Sequence, residues 1–95
     1  HENSEYFIGQ MSRAGFTIKP TRSAICAVML YDAKLSQEFA SRLLEKGIYV
    51  IGFYYPVVPK GEARIRVQLS ASHTRSHLDR AVEAFISTGK ELGVI

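Results

Sequence analysis

The sequence predicts an α+β fold, a two-layer sandwich in which helices pack on one face of a small, mostly antiparallel, three-stranded sheet. Segments with helical or strand patterning follow one another in the order helix, strand, helix, strand, strand, helix. An apolar run occupies residues 24–30, and residues 63–69 alternate between polar and apolar side chains. The chain has 95 residues, of which 46% are hydrophobic, and this suits one small globular domain over residues 1–95.

Apolar residues at helical spacing indicate two helices in the first half of the chain. The first is capped by Asn3 or Ser4 and ends at Gly15, since glycine readily takes the left-handed conformation that terminates a helix. The second covers residues 35–46 and presents a stripe of leucine and phenylalanine to the core. Ser36 is its alternative cap if this helix begins later.

A third helix lies at the end of the sequence. Thr74 or Ser76 is expected to cap it, and Ser76 with Asp79 makes a shortened capping box, in which each side chain accepts from the other residue's backbone N–H. Gly89 weakens this helix near its end, and Gly93 is expected to close it.

Besides the alternating segment, two segments are predicted to be strands. Residues 24–30 are entirely apolar and too short for a typical helix, which favours a buried strand. Residues 48–54 are rich in β-branched and aromatic side chains, and Gly52 within them suggests a bulge or a close backbone approach. Residues 16–18 are expected to form only a short extended piece that Pro20 breaks.

The alternating segment carries the strongest candidate for a binding function. Arg64, Arg66 and Gln68 share one face of the predicted strand, and aliphatic residues occupy the other. Because the aliphatic face must meet the core, two guanidinium groups stand on the opposite face of a rigid element. A guanidinium presents a planar fork of donors that fits a carboxylate or phosphate with two parallel hydrogen bonds. The alternative is that both arginines are only solvated or paired with a nearby carboxylate.

Composition argues against several classes of function. The net charge of +3 is mild and the basic residues are interspersed with acidic ones, so no basic stripe indicates a nucleic-acid partner. No apolar run approaches the roughly 20 residues of a membrane span, and no signal segment opens the chain. Cys26 is the only cysteine, which excludes an internal disulfide and a cysteine zinc cluster, and no metal site is predicted. The first residue is His1 rather than Met, which suggests a tag remnant or an excised fragment.

The exact residues of the segment 51–74, IGFYYPVVPKGEARIRVQLSASHT, are more informative than its pattern of polar and apolar positions. It closely resembles the C-terminal region of the α-oxoamine synthases, acyltransferases that depend on pyridoxal phosphate (PLP), and in particular their glycine C-acetyltransferase branch. The resemblance extends through NSEYF, AGFTI, KGIYV and GKELGVI. It therefore covers nearly the whole chain, but only the C-terminal part of such an enzyme.

The resemblance implies the C-terminal small domain of a fold-type I PLP enzyme. The complete enzyme would condense glycine with acetyl-CoA to 2-amino-3-oxobutyrate and CoA, and would work in the cleavage direction in threonine breakdown. It would bind PLP in a large domain outside residues 1–95, form a homodimer, and reside in the cytoplasm, or in mitochondria in a eukaryote. The first helix and residues 54–58 would meet these missing partners, so we expect both to expose apolar surface in this chain.

The resemblance also implies roles for single residues. Arg66 matches the residue that grips the carboxylate of glycine or of the product, whereas Arg64 matches no catalytic position. His73 lies in the Ser-Ala-Ser-His-Thr loop that follows the substrate arginine, and it is expected to support the rim of the active site. The alternative for His73 is a purely structural histidine beside a helix cap. His77 is expected to be a solvated helix residue.

PLP chemistry needs a lysine for the Schiff base and an acidic partner for the pyridine nitrogen. None of the five lysines has small, glycine-rich neighbours in sequence, and the two aspartates, Asp32 and Asp79, are both expected at surface turns or helix caps. No catalytic or cofactor-binding residue is therefore predicted here, and the chain alone is expected to be inactive. Two alternatives stay open. One is a sister α-oxoamine synthase, of the 8-amino-7-oxononanoate synthase or serine palmitoyltransferase type. The other is a stand-alone α+β module that binds an anion through Arg64 and Arg66.

Overall fold

A computed structural model describes residues 2–22, 25–69 and 73–95 of the chain. The described residues form three helices and four strands, in the order α1 (Glu2–Ala14), β1 (Ile18–Arg22), β2 (Ile25–Tyr31), α2 (Ala33–Glu45), β3 (Ile51–Phe53), β4 (Ala63–Gln68) and α3 (Arg75–Glu91). The sheet has the strand order β1-β2-β4-β3, and every neighbouring pair is antiparallel. The predicted α+β class and the antiparallel sheet are therefore confirmed.

The sheet has four strands rather than the predicted three. The additional strand, β1, pairs with β2 and contains Pro20, the residue that was expected to end an extended piece. Proline lacks a backbone N–H and is tolerated in a sheet only at an edge or an irregularity. Strand β1 has both features, because it is the outermost strand and its register shifts between Pro20 and Arg22.

The other strands lie close to where the sequence places them. Strand β2 is shifted by one residue from residues 24–30, and β4 ends one residue before Leu69. Strand β3 covers only three residues of the predicted 48–54. Gly52 lies at a close approach in β3, because a Cβ there would be 3.1 Å from the Ser36 hydroxyl of α2. The predicted close backbone approach at this glycine is therefore confirmed.

All three helices cover one face of the sheet. Helix α2 contacts β2, β3 and β4, whereas α1 contacts β1, β2 and the neighbouring α3. Helix α1 already begins at Glu2, so the expected caps Asn3 and Ser4 lie within it. Its apolar residues Phe7 and Met11 are completely buried. The expectation that the first helix would expose an apolar face is thus wrong, because the core and α3 cover that face.

Four phenylalanines form the centre of the core between the helices and the sheet. Phe16 makes edge-to-face contacts with Phe39 and Phe85, each at 6.2 Å between ring centroids, and Phe7 meets Phe85 in the same way at 5.9 Å. Such pairs add about 0.5–1.5 kcal/mol beyond the burial of their area. Gly89 makes room for this cluster, because a Cβ there would lie only 2.8 Å from Cζ of Phe16.

The start of α2 is capped by an aspartate that the sequence prediction did not use. The Asp32 carboxylate accepts from the backbone N–H of Leu35 at 2.8 Å. Ser36, the alternative cap, is instead fully buried, and its hydroxyl donates to the carbonyl of Arg64 at 3.2 Å. This bond ties α2 to the centre of β4, so Ser36 connects two elements rather than beginning one.

The start of α3 is capped by Thr74, as one of the two predictions had it. The capping box closes with His77 rather than with Ser76 and Asp79. The backbone N–H of His77 donates to Oγ1 of Thr74 at 3.1 Å, and the backbone N–H of Thr74 donates to Nδ1 of His77 at 3.3 Å. His77 is exposed, as expected, but it also fixes the first turn of α3. Gly93, with φ +74°, lies directly after the helix end as predicted.

Candidate functional site

The face of the sheet opposite the helices is the candidate functional surface, and the strand register defines it. Residues paired across strands share a face. Arg66 of β4 pairs with Ala27 of β2 and with Ile51 of β3, and Arg64 pairs with Met29 and Phe53. The members of this open face are Lys19, Ile25, Ala27, Met29, Ile51, Phe53, Arg64, Arg66 and Gln68. The surface thus combines an apolar floor with three basic side chains.

The alternation predicted for β4 is confirmed. Ala63, Ile65 and Val67 are buried on the helix side, whereas Arg66 and Gln68 are exposed. The predicted substrate-binding residue therefore points away from the core on the central part of the sheet, since β4 has β2 on one side and β3 on the other. A group held on a strand flanked on both sides is aimed more reliably than one on a loop.

The guanidinium of Arg66 lies over the ring of Phe53, with its central carbon 4.9 Å from the ring centroid. This distance is within the roughly 6 Å range of a cation–π contact. The side chain of Arg66 forms no hydrogen bond or ion pair with any residue in 2–22, 25–69 or 73–95. Its donors are consequently unused within the described part of the chain, and they could receive a carboxylate or phosphate.

Arg64 differs from Arg66 in being engaged by a carboxylate. Its Nε donates to the Glu62 carbonyl at 3.0 Å, and its Nη2 donates to Oε1 of Glu62 at 3.2 Å. Its side chain is only 20% exposed, against 49% for Glu62. The pairing alternative therefore holds for Arg64, whose guanidinium is occupied by Glu62. For Arg66, which is exposed, both the ligand role and the solvated alternative stay predictions.

His73 does not share a cavity with Arg66. It is half-buried just before α3, its carbonyl accepts from Nδ2 of Asn3 at 3.1 Å, and its ring meets that of His77 edge to face. It lines a cavity of about 320 Å³ between α3, the end of β4 and residues 47–50, and Arg66 is absent from that lining. The geometry of the described residues thus shows His73 near the start of α3, while its predicted support of an active-site rim stays a prediction.

Phe53 is the residue of this surface that sequence reasoning missed. The signal was present, because alternation within residues 48–54 puts Tyr49, Ile51 and Phe53 on one face. Only the pairing of β3 with β4 shows that this face is the one that carries Arg66.

Burial makes the single cysteine an unsuitable nucleophile. Cys26 is 1% exposed, and burial raises the pKa of its thiol to about 11. A thiol with such a pKa stays protonated at neutral pH, and the thiolate is the reactive form. Within residues 2–22, 25–69 and 73–95, no group of three or more His, Cys, Asp or Glu side chains could hold a metal ion. None of the described helices is long and apolar enough to cross a membrane.

The lysines of this chain do not fit a Schiff-base site for PLP. Lys46 Nζ donates to Ser87, Thr88 and Glu91 at 2.7, 2.8 and 3.1 Å, so its ammonium is held in a structural cluster. Lys60 lies over the ring of Tyr55 at 5.2 Å. The remaining three, Lys19, Lys34 and Lys90, are exposed.

The aspartates do not fit the role of an acidic partner for PLP either. Asp32 is occupied as the cap of α2, and Asp79 accepts a hydrogen bond from the hydroxyl of Tyr6. That bond is the main reason why the pKa of Tyr6 is raised. The residues described here therefore offer a guanidinium for an anionic ligand, but no set of groups that would hold PLP by themselves.

Comparison with known proteins identifies the family. The family model described as aminotransferase class I and II matches residues 1–85. The 2-amino-3-ketobutyrate coenzyme A ligase of Escherichia coli K12 is 58% identical over 93 residues, which are 98% of this chain and 23% of that enzyme. The mitochondrial human enzyme of the same name is 51% identical over 97% of this chain and 22% of its own length. The 8-amino-7-oxononanoate synthase of Thermosipho melanesiensis is 50% identical over 99% of this chain and 24% of its own length.

Solved structures agree with these relatives. Serine palmitoyltransferase from S. paucimobilis, solved with a bound PLP–myriocin aldimine, superposes with a TM-score of 0.90 at 31% identity, over 99% of this chain and 24% of that one. The chain thus spans about a quarter of the length of the curated relatives it matches. On the match to the family model and the agreement in both sequence and fold, the chain belongs to the class I and II aminotransferase family, on its α-oxoamine synthase branch.

Proposed function

We propose that this chain is the C-terminal small domain of a PLP-dependent glycine C-acetyltransferase. The complete protein condenses glycine with acetyl-CoA to give 2-amino-3-oxobutyrate and CoA, and takes part in threonine breakdown. The observation that supports this most strongly is Arg66, an exposed guanidinium on a central strand whose donors are unused among the described residues, in a chain 58% identical to a 2-amino-3-ketobutyrate coenzyme A ligase.

In this proposal, Arg66 binds the carboxylate of glycine with two parallel hydrogen bonds. The planar fork fits a carboxylate in this way, and it fixes the orientation of the substrate as well as its position. Arg64 holds the start of β4 through Glu62 and makes no substrate contact. His73 supports the start of α3, which follows the loop after β4.

The cofactor and the rest of the active site come from outside residues 1–95. Support for this comes from the lysines and aspartates of the chain, which are exposed or engaged elsewhere. The longer protein would bind PLP in its large domain and would act as a homodimer, with the open face of this sheet turned towards the active site.

A sister α-oxoamine synthase is the second candidate, because an 8-amino-7-oxononanoate synthase is 50% identical to the chain and a serine palmitoyltransferase is 31% identical with the same fold. A panel of substrates offered to the longer protein separates the two. We expect CoA release from acetyl-CoA that depends on glycine and saturates with it, and much less release from palmitoyl-CoA with serine. Efficient use of the second pair, or no release that depends on glycine, would contradict the proposal. The stand-alone anion-binding module requires that the coding sequence lack a further large domain of ordinary size upstream.

A further inference from the structure

Phe53 and Arg66 are diagonal neighbours across two antiparallel strands. Ile51 is the direct partner of Arg66, and Phe53 lies two residues further along the same face of β3. Diagonal positions are about 7–8 Å apart, within reach of an aromatic ring and a long side chain. The guanidinium carbon indeed lies 4.9 Å from the centre of the ring. Arg66 thus leans along the sheet onto Phe53.

The ring of Phe53 is available to Arg66 because Arg64 is drawn away from it. Arg64 is the residue directly opposite Phe53 in the ladder. Its guanidinium is nevertheless held by Glu62, through bonds of 3.0 and 3.2 Å. Glu62 thus occupies the guanidinium of Arg64, whereas Arg66 stacks on the ring and keeps donors that have no partner among the described residues.

The backbone beneath this pair is fixed from the helix side. Ser36 of α2 donates to the carbonyl of Arg64 at 3.2 Å, and the same hydroxyl lies 3.1 Å from where a Cβ on Gly52 would be. Helix α2 is therefore bonded to β4 and lies close against β3 beside the stacked pair. A shift of β4 relative to α2 would break the hydrogen bond from Ser36.

Stacking holds a guanidinium without using its hydrogen-bond donors. The ring contacts the flat face of the group, whereas the N–H bonds lie in its plane and point outward. A carboxylate partner such as Glu62 would also hold the group, but it would occupy the fork. On these grounds we infer that Phe53 is a positioning residue for Arg66, one that orients its free fork towards a carboxylate ligand. The inference rests on the proposed function, because it deepens the role given there to Arg66.

The test measures glycine kinetics of Phe53 variants in the longer protein. Arg66 binds a group that is unchanged by the reaction, so a loosened fork weakens the ground state and the transition state alike and raises KM at constant kcat. A cation–π contact contributes about 0.5–2 kcal/mol, so Phe53→Leu should raise the KM for glycine by about two- to thirtyfold. Its kcat and its KM for acetyl-CoA should change by less than about twofold, and Phe53→Tyr should retain the parental KM.

A matched control removes an aromatic side chain from the same segment. Tyr49 is 77% exposed on the approach to β3, and the cation–π contact of Arg66 is with Phe53 instead, so Tyr49→Leu should leave the KM for glycine unchanged. Phe53→Met provides a second variant without a ring, should Phe53→Leu unfold by circular dichroism. The inference would be overturned if folded Phe53→Leu or Phe53→Met kept the parental KM for glycine. It would also be overturned if Phe53→Tyr raised this KM as much as Phe53→Leu does.

A double-mutant cycle separates this inference from the proposed function. With Arg66→Ala as the background, Phe53→Leu should add no further loss, because the group it positions is gone. An equal loss in both backgrounds would show that Phe53 acts independently of Arg66 and would overturn the inference alone. The inference alone would also be overturned if Arg66→Ala impaired glycine use while Phe53→Leu kept the parental KM for glycine. Normal glycine kinetics in Arg66→Ala would instead remove Arg66 from the site and overturn the proposed role on which the inference rests.

Discussion

Arg64 and Arg66 lie on the same face of one strand, yet only Arg64 is engaged by a carboxylate. This difference leads to the first prediction, which concerns the longer protein. Arg66→Lys keeps the charge but loses the bidentate fork. We expect a loss of about 1.5–3 kcal/mol, the usual contribution of a hydrogen bond to a charged group. The catalytic efficiency with glycine should then fall about ten- to a hundredfold, and further in Arg66→Ala.

The control for this prediction is Arg64→Ala, since Arg64 shares the face but makes its bonds to Glu62. Its effect on glycine use should be much smaller than that of Arg66→Ala. Steady-state kinetics of the three variants, with acetyl-CoA and glycine varied separately, provide the measurement. Equal losses at both arginines would show that the effect is one of general charge or folding rather than of the free fork.

Tyr31 gives a second prediction at this scale, because its φ of +71° lies in the left-handed region. The backbone N–H of Asp32 donates to the carbonyl of Leu30 at 2.8 Å across this tight turn. A residue with a Cβ is disfavoured there by about 1–2 kcal/mol, whereas glycine is not. Tyr31→Gly should therefore be more stable than Tyr31→Ala, the reverse of the usual order. Thermal unfolding of the two variants measures this, and a more stable alanine variant would show that no strain is stored there.

At the scale of elements, one lysine joins the ends of α2 and α3. Lys46 directly follows α2 and donates to the buried hydroxyl of Thr88 and to Ser87 and Glu91. Lys46→Met keeps the aliphatic stem but leaves the Thr88 hydroxyl without this donor. We expect a loss of about 1 kcal/mol in the free energy of unfolding, the net contribution of a typical hydrogen bond.

The pH dependence of this contact provides its check. The pKa of Glu91 is lowered, first by the hydrogen bond from Lys46, then by that from Arg42. A depressed carboxyl pKa contributes stability that is present above the ordinary glutamate value of about 4.3 and is lost as the pH falls through the folded pKa. The parental chain should therefore lose more stability than Lys46→Met between neutral pH and this acid range. Denaturant titrations of both proteins, at neutral pH and in the acid range, measure the difference. Equal losses of unfolding free energy in the two proteins would show that the contact between Lys46 and Glu91 does not contribute to stability.

The pattern of polar and apolar residues predicted those elements that have one polar face and one apolar face. The alternation in β4 placed Arg66 off the core without any knowledge of the fold, because one face of that strand had to be buried. It could not predict the partner of Arg66, since the contact with Phe53 depends on the register between β3 and β4. Strand β1 was missed because Pro20 signals a break unless the strand is known to be at an edge.

The helix caps also show that local sequence patterns do not identify every partner. Thr74 was a strong signal, but a box closed by His77 Nδ1 does not follow the usual Glu or Gln pattern and was not recognised. Asp32 was available as a cap for α2, yet Ser36 also fitted locally. Only the burial of Ser36 against β4 decides between the two caps. This burial depends on tertiary packing, which the local sequence does not reveal.

At the scale of the whole molecule, apolar surface is exposed in the turn between β3 and β4. Tyr54, Tyr55 and Val57 are 36%, 56% and 75% exposed, which confirms the expectation for residues 54–58. Contiguous apolar surface of a few hundred Å² marks an interaction site. The chain of 95 residues should therefore bind a hydrophobic dye in its native state or associate at high concentration. Tyr55→Ser together with Val57→Ser should reduce both effects. A parental chain that stays monomeric and binds no dye would contradict this prediction.

The last prediction concerns the catalytic competence of the 95-residue chain alone. Lys46 and Lys60 are engaged by neighbouring side chains, and the other lysines lie exposed on the surface without an acidic partner arranged beside them for a pyridine nitrogen. Mixed with PLP, glycine and acetyl-CoA, the chain should release no CoA above the rate of PLP alone. The longer protein, assayed in parallel by thiol release and by the visible spectrum, serves as the positive control. Saturable CoA release that depends on glycine and on the isolated chain would show that residues 1–95 hold a complete site, and would contradict the division of the active site proposed above.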